Sequence, residues 1–344
     1  MQQQRLKKYG RDPKSLAAVS SRRITDTSLS VIATIHDYRI IPTSLLVRLV
    51  SGNEKNIQRH LQQLYHKGLI NRFAFMRGKN PGEFHYYLDN EAALKLLVAR
   101  GADASVLQFE EVRRNREKRY CDVNDPKGAE EMQGRLLFLK HEVMISRFHA
   151  MLELACAASE GRIALMAFQQ GPGLWNSVEV PKVVYREGRW LDSDQTERLP
   201  HRPDAFFTLT FPQEPQREPL SFFYEADRHR TDTHKYSKKL RAHFHFAVKE
   251  KENLNKAYGL NRIRAVLTET VDDDWAERLR QAANHEIVSG SKPSPFFWFT
   301  TSRLFTKPIS TGNREQPTYL VRPDVVFKNI WATPVDDTLQ SLIK

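Results

Sequence analysis

Apolar residues recur at helical spacing three times in the stretch from Thr25 to Leu64. Leu29, Ile32 and Ile35 fall on one face of a first helix, which Asp26 or Thr27 can cap. Pro42 suits the first turn of a second helix that buries Leu45, Leu46 and Leu49 before Ser51-Gly52 breaks it. Asn53 can cap a third, with Ile57, Leu61 and Leu64 at i, i+4 and i+7. After Lys67-Gly68 the pattern turns extended. Leu69 and Ile70 lead through residues 72–76 into a turn at residues 78–82, and a return strand covers 84–88. A short helix at 90–97 closes the set, and a charged helix at 108–118 leads to a polar linker at 124–128.

Three helices and a hairpin in this order predict a winged helix-turn-helix. Beyond residue 130 the pattern alternates between periods of about 3.6 and 2. A long helix at 136–158 has Leu137, Met144, Phe148, Met151, Leu152 and Ala155 on its core side. Strands are predicted at 163–168, 178–185, 205–211 and 221–226, a helix at 232–256, a strand at 263–268, a helix at 272–284 and a strand at 296–300. That order gives a mixed sheet flanked by helices, an α+β or α/β domain. The expected organisation is a basic tail (1–24), the winged helix (25–100), a charged helix and linker (101–130), the mixed-sheet domain (131–310) and a C-terminal extension (311–344).

The chain has 344 residues, 40% apolar and 27% charged, enough for two domains with cores of their own. No apolar run approaches the roughly 20 residues of a membrane span. No apolar segment follows the basic N-terminus as in a secretory signal. Cys121 and Cys156 form neither a metal-binding spacing nor a disulfide framework. A cytoplasmic protein without membrane partners is the expectation.

The formal charge of +12 is unevenly placed, with net +11 on residues 1–120 and +1 on the remainder. An excess confined to the predicted winged helix is the footprint of a nucleic-acid module. The outer face of its third helix carries Lys55, Asn56, Gln58, Arg59, Gln62 and Gln63, side chains able to bond base edges or phosphates in a major groove. Arg77 and Lys79 make the hairpin tip basic. Double-stranded DNA is the expected partner. A soluble basic face or a protein-binding winged helix is the plainer alternative.

Three acids stand out in the second half. Asp204 follows Pro203 at one strand start, and Glu225 and Asp227 end the next strand on a shared face. Carboxylates gathered from adjacent strands repel unless a hard divalent cation sits between them. Mg²⁺ or Mn²⁺ held by Asp204 and Glu225 would generate hydroxide and stabilise the charge on a phosphodiester. Glu142, on the preceding helix, is placed to add a ligand or orient a water. No phosphate loop, dinucleotide fingerprint or nucleophile elbow is present. His243-Phe244-His245 mimics the paired histidines of tyrosine relaxases. The spacing of Tyr236, Leu240 and Phe244 predicts a helix there, so the two imidazoles diverge.

The Asp204…Glu225-x-Asp227 pattern resembles the PD-(D/E)xK restriction-endonuclease-like fold. More specifically, Arg202-Pro203-Asp204 and Glu225-Ala226-Asp227-Arg228, followed by Lys235-Tyr236-Ser237-Lys238-Lys239, resemble the replication-relaxation family over roughly residues 25–300. The resemblance implies a winged helix joined to a nuclease-like domain, acting in replication, relaxation (nicking) or mobilisation of a plasmid or integrative element. Relaxase or replication proteins are the partners it implies. In active nucleases of this fold a lysine stands two residues after the glutamate, where this chain has Asp227. Lys239 or Lys235 on the next helix would replace it, with Asp227 as a further acid. His229-Arg230-Thr231 replaces the small Gly-Thr that often follows in the family. A nearly repeated Arg322-Pro323-Asp324 lacks the second acidic motif and is predicted to start a C-terminal strand. Two readings follow: a Mg²⁺-dependent nickase, or a non-catalytic regulator of transcription or replication whose second domain mediates assembly, as a homodimer on a palindrome.

Overall fold

The computed structural model describes residues 23–77, 80–88, 91–101, 129–228, 232–290, 292–309 and 318–344. The chain divides into two compact units, Met1–Ala150 and Met151–Lys344.

The first unit runs α1 (Asp26–Tyr38), β1 (Ile41–Pro42), α2 (Thr43–Leu49), α3 (Glu54–His66), β2 (Ile70–Arg77), β3 (Asn80–Leu88) and α4 (Glu91–Val98). Thr25 caps α1, one residue earlier than Asp26, its side chain accepting from the N–H of Ser28. Asn53 caps α3, its Oδ1 accepting from the N–H of Lys55 at 2.9 Å. Pro42 lies just outside α2, in extended conformation, and pairs with β3 through Ile41–Tyr86 and Pro42–His85. The three strands form an antiparallel sheet in the order β1-β3-β2. Val31, Ile32, Ile35, Leu45, Leu46, Ile57, Leu61 and Leu64 are all but fully buried. At about 1.5–3 kcal/mol for each such side chain, these hydrophobes hold the three helices together. Leu29 and Leu49, expected in this core, are only half-buried, and Val31 and Tyr38 complete the α1 face instead.

Lys79, expected at the hairpin tip, lies outside the described residues, as do the Arg77 side chain, the charged stretch 108–118 and the linker 124–128. The long helix α5 (Ala129–Ala157) starts seven residues before the expected position 136, and the division between the units falls within it. Its part in the first unit is tied to the end of α1. The Tyr38 ring stacks on His149 with centroids 4.3 Å apart, and the Ser146 hydroxyl donates to the Ile40 carbonyl. Arg39 turns the chain here with φ +63°.

The second unit continues with β4 (Ala164–Gln170), a 3₁₀ turn (Pro172–Leu174), β5 (Asn176–Arg186), β6 (Arg189–His201), β7 (Ala205–Thr210), β8 (Leu220–Ala226) and α6 (Thr233–Phe244). A π-helical segment (His245–Lys249), α7 (Lys251–Tyr258), β9 (Ala265–Thr270), α8 (Asp273–Ala283), α9 (Glu286–Ser289), β10 (Phe297–Thr301), β11 (Thr306–Ile309) and β12 (Thr318–Val321) follow. Five strands form one mixed sheet in the order β10-β9-β8-β7-β4. Strands β8, β9 and β10 are parallel, whereas β4, β7 and β8 are antiparallel. Parallel neighbours need long crossovers, which α6–α7 and α8–α9 supply. Phe222, Phe223, Ala265, Val266 and Leu267 are fully buried, as expected for strands covered on both faces.

Three expectations need correction. Strand β6 was not expected, because its run of Asp, Glu, Arg and Gln carries no alternating apolar signal. It pairs with β5 as a two-stranded ribbon closed by Glu187 and Gly188, both at positive φ, the two-residue turn that suits strand twist. The helix expected over 232–256 is three pieces, since the π segment interrupts the ladder after Phe244. Arg322-Pro323-Asp324 enters a 3₁₀ turn (Pro323–Val325) rather than a strand, as the fixed φ and missing N–H of proline favour. Among the described residues no helix is long and apolar enough to cross a membrane.

Candidate active site and nucleic-acid face

Side chains alternate along β8, so Phe223, Glu225 and Asp227 project toward the helices while Tyr224 points to the other face. There the Tyr224 hydroxyl donates to Glu269 Oε2 at 2.7 Å. On the helical side, Lys239 and His243 are four residues apart on α6, one turn of one face. Both reach Glu225: the Lys239 ammonium donates to Oε2, and His243 Nε2 lies 2.7 Å from Oε1. One turn earlier on the same helix, the Tyr236 hydroxyl lies 2.5 Å from Thr268 Oγ1, and Thr268 is the β9 residue in register with Glu225.

Asp204 is pinned to the end of the same strand. Its N–H donates to the Tyr224 carbonyl at 3.1 Å, and its Oδ2 accepts the N–H of Ala226 at 2.9 Å. Asp227 accepts from Trp275 Nε1 on α8 at 2.6 Å and donates its own N–H to the Glu269 carbonyl. The structure thus brings together Asp204, Glu225, Asp227 and Lys239. Lys235, the alternative lysine, is exposed in the first turn of α6.

Glu142 is engaged with Arg39. Its carboxylate pairs with Arg39 at 3.2 Å inside the first unit, both side chains being under one-tenth exposed. A buried guanidinium needs this anion.

Burial pushes the Glu225 carboxyl well above the ordinary range. Lys239 draws it back, and the neighbouring Asp204 carboxylate raises it further. Burial opposes the charge on Lys239, but Glu225, Asp204 and Asp227 outweigh it and hold the ammonium protonated. Burial, with Lys239 nearby, lowers His243 to about 3, so its imidazole is neutral. His201 is fully buried, stacks on Phe246 at 3.9 Å and meets His243 edge-on at 4.8 Å. Neither of its ring nitrogens has a hydrogen-bond partner among the described residues. Burial lowers its pKa too, well below 6.5.

Three carboxylates face one ammonium, a surplus of negative charge whose hard oxygens suit a divalent ion. Asp204 and Glu225 are the pair such an ion would take. Among the described residues no three His, Cys, Asp or Glu side chains stand as a ready-made metal cluster.

Three contributors were not among the expected site residues. His243 had a usable signal, its four-residue spacing from Lys239. Tyr236 had a weaker one on the same helix, and Trp275, arriving from α8, had none.

The other feature is the outer side of α3. Ile57, Leu61 and Leu64 are buried, which leaves Lys55, Asn56, Gln58, Arg59 and Gln62 exposed, with Gln63 half-buried. Gln58 donates to Glu54 at 3.0 Å along the helix.

The model of one family, described as replication-relaxation, matches residues 32–261. That stretch includes α3, Asp204, Glu225, Asp227 and Lys239. No curated protein and no solved structure matches the chain.

Proposed function

The chain belongs to the replication-relaxation family, and from that premise we propose that it is a DNA-binding protein of a plasmid or integrative element. In this reading the first unit is a winged helix-turn-helix that engages duplex DNA. The observation that carries it is the polar face of α3, where five side chains capable of bonding bases or phosphates are exposed on a helix whose other side is locked into a core. Asn56, Gln58 and Gln62 supply amide groups for base edges. Lys55 and Arg59 supply cations for phosphates, and the sequence offers Arg77 and Lys79 as further ones.

The second unit, read as a restriction-endonuclease-like domain, acts on the DNA that the first unit captures. The reading of a nicking site is favoured by the meeting of Asp204 and Glu225 with Lys239 at a strand end. Mg²⁺ or Mn²⁺ on Asp204 and Glu225 would supply Lewis acidity and a lowered water pKa. The chain's own part is separable from that. Lys239 stabilises negative charge at the acids, His243 holds Glu225 in one orientation, and Trp275 holds Asp227. The competing reading, a regulator working by binding alone, keeps every statement about α3 and assigns the acid–lysine cluster to structure.

A supercoiled-plasmid assay separates the two. Wild type, Asp204→Ala and Glu225→Ala are incubated with Mg²⁺, Mn²⁺ or EDTA, and a gel shift is run on the same DNA. The nicking reading expects open circles only with metal and wild type, while all three proteins shift the DNA. A gel shift without cleavage under any metal assigns the protein to binding. Absence of a shift from every protein refutes the DNA reading altogether.

A further inference from the structure

Trp175 is 49% exposed, although it lies in a well-anchored segment. The preceding 3₁₀ turn buries Leu174, whose carbonyl accepts from Tyr258 Oη at 3.1 Å and from Asn176 Nδ2 at 3.0 Å. The backbone that carries the exposed indole is therefore anchored. A single exposed aromatic is ordinary on a protein surface; its neighbour makes this one different. In the β5–β6 ribbon Asn176 is in register with His201, so Trp175 and Arg202 are the next pair across. The Arg202 guanidinium lies 5.1 Å from the Trp175 ring centroid. Arg202 is exposed and has no carboxylate or other hydrogen-bond partner among the described residues. The result is an exposed ring with a cation over it that no carboxylate among the described residues neutralises.

Its location matters as much as its chemistry. Arg202 precedes Asp204 by two residues, so their Cα atoms are within about 7 Å. A flat π surface with a free guanidinium matches a nucleobase and the phosphate attached to it. In a duplex the faces of the bases are already stacked on one another, so only an unpaired base can use such a surface. We propose that Trp175 and Arg202 form a stacking platform for an unpaired base, and that the strand delivered to the Asp204–Glu225 site is single-stranded or locally melted DNA. This deepens the preceding proposal and rests on its assignment of DNA to the second unit.

The test uses the full chain and two probes, a fluorescein-labelled 12-nucleotide single strand and the same sequence as a blunt duplex, with anisotropy as the readout. Trp175→Ala and Arg202→Ala should each weaken single-strand binding by about tenfold, leaving duplex binding within about twofold. Trp175→Phe, which keeps a ring, should retain most of the affinity while losing the quenching of tryptophan emission that the single strand causes in wild type. Equal losses on both probes, or no loss on the single strand, overturn the platform. Failure of wild type to bind the single strand while binding the duplex also overturns it and leaves the α3 reading standing. Failure on both probes overturns both.

Discussion

His201 is the residue whose environment makes the sharpest demand. A wholly buried imidazole with two unpartnered nitrogens forgoes hydrogen bonds that water would supply. His201→Phe removes that cost while keeping a ring to stack on Phe246, and should raise Tm by about 2–4 °C at pH 7, a gain of about 1 kcal/mol, by circular dichroism. Its pH dependence is also defined. The unfolded chain protonates this histidine near pH 6.5, and burial holds the folded one neutral to well below that. The unfolded state then binds the extra proton, so wild type loses stability as pH falls below 6.5. The advantage of His201→Phe over wild type should therefore widen between pH 6.5 and 5. An advantage that stays constant over that range would contradict the assigned burial. Glu142 makes the opposite case. Removing one partner of a buried ion pair strands the other, so Glu142→Ala should destabilise the chain by about 3 kcal/mol in urea titrations. Were Glu142 instead a ligand at a metal site, the variant would lose activity with stability intact.

Among the elements, α3 is the most legible in sequence, since its cap, apolar stripe and polar face all follow from one window of residues. Asn53→Ala should cost about 1 kcal/mol through loss of the bond to the Lys55 N–H, measured by thermal or chemical unfolding. The mixed sheet was legible for the same reason: its buried strands are short apolar runs separated by turns. Strand β6 was not, because its pairing with β5 is satisfied by backbone bonds and a two-residue turn, with polar side chains in water. The break after Phe244 was hidden as well, since Tyr236, Leu240 and Phe244 keep helical period up to the residue where the π segment begins. In the acid cluster, Asp204, Glu225 and Lys239 were legible through the short motifs that carry them. Trp275 was not, because its contact with Asp227 joins residues 48 apart and depends on how α8 lies across the sheet end.

At the scale of the whole molecule, the charge distribution and the two units tell one story. Positive charge is concentrated in the first third, ahead of a near-neutral second unit whose acids are gathered around a lysine. On the proposed function, the first part binds DNA electrostatically and the second handles it chemically or by shape. Duplex affinity should therefore fall steeply with salt, by about 10³-fold or more between 50 and 200 mM, if six or more phosphates are neutralised. The most direct measurement is an anisotropy titration of a labelled duplex over that salt range, with wild type and the triple variant Asn56→Ala, Arg59→Ala, Gln62→Ala. All three positions are exposed, so the variant should fold as wild type does, with an unchanged circular dichroism spectrum. Wild type should show a steep salt dependence, and the variant a loss of at least about tenfold with a shallower salt slope. Equal affinities for the two proteins, or binding indifferent to salt, would contradict the DNA reading.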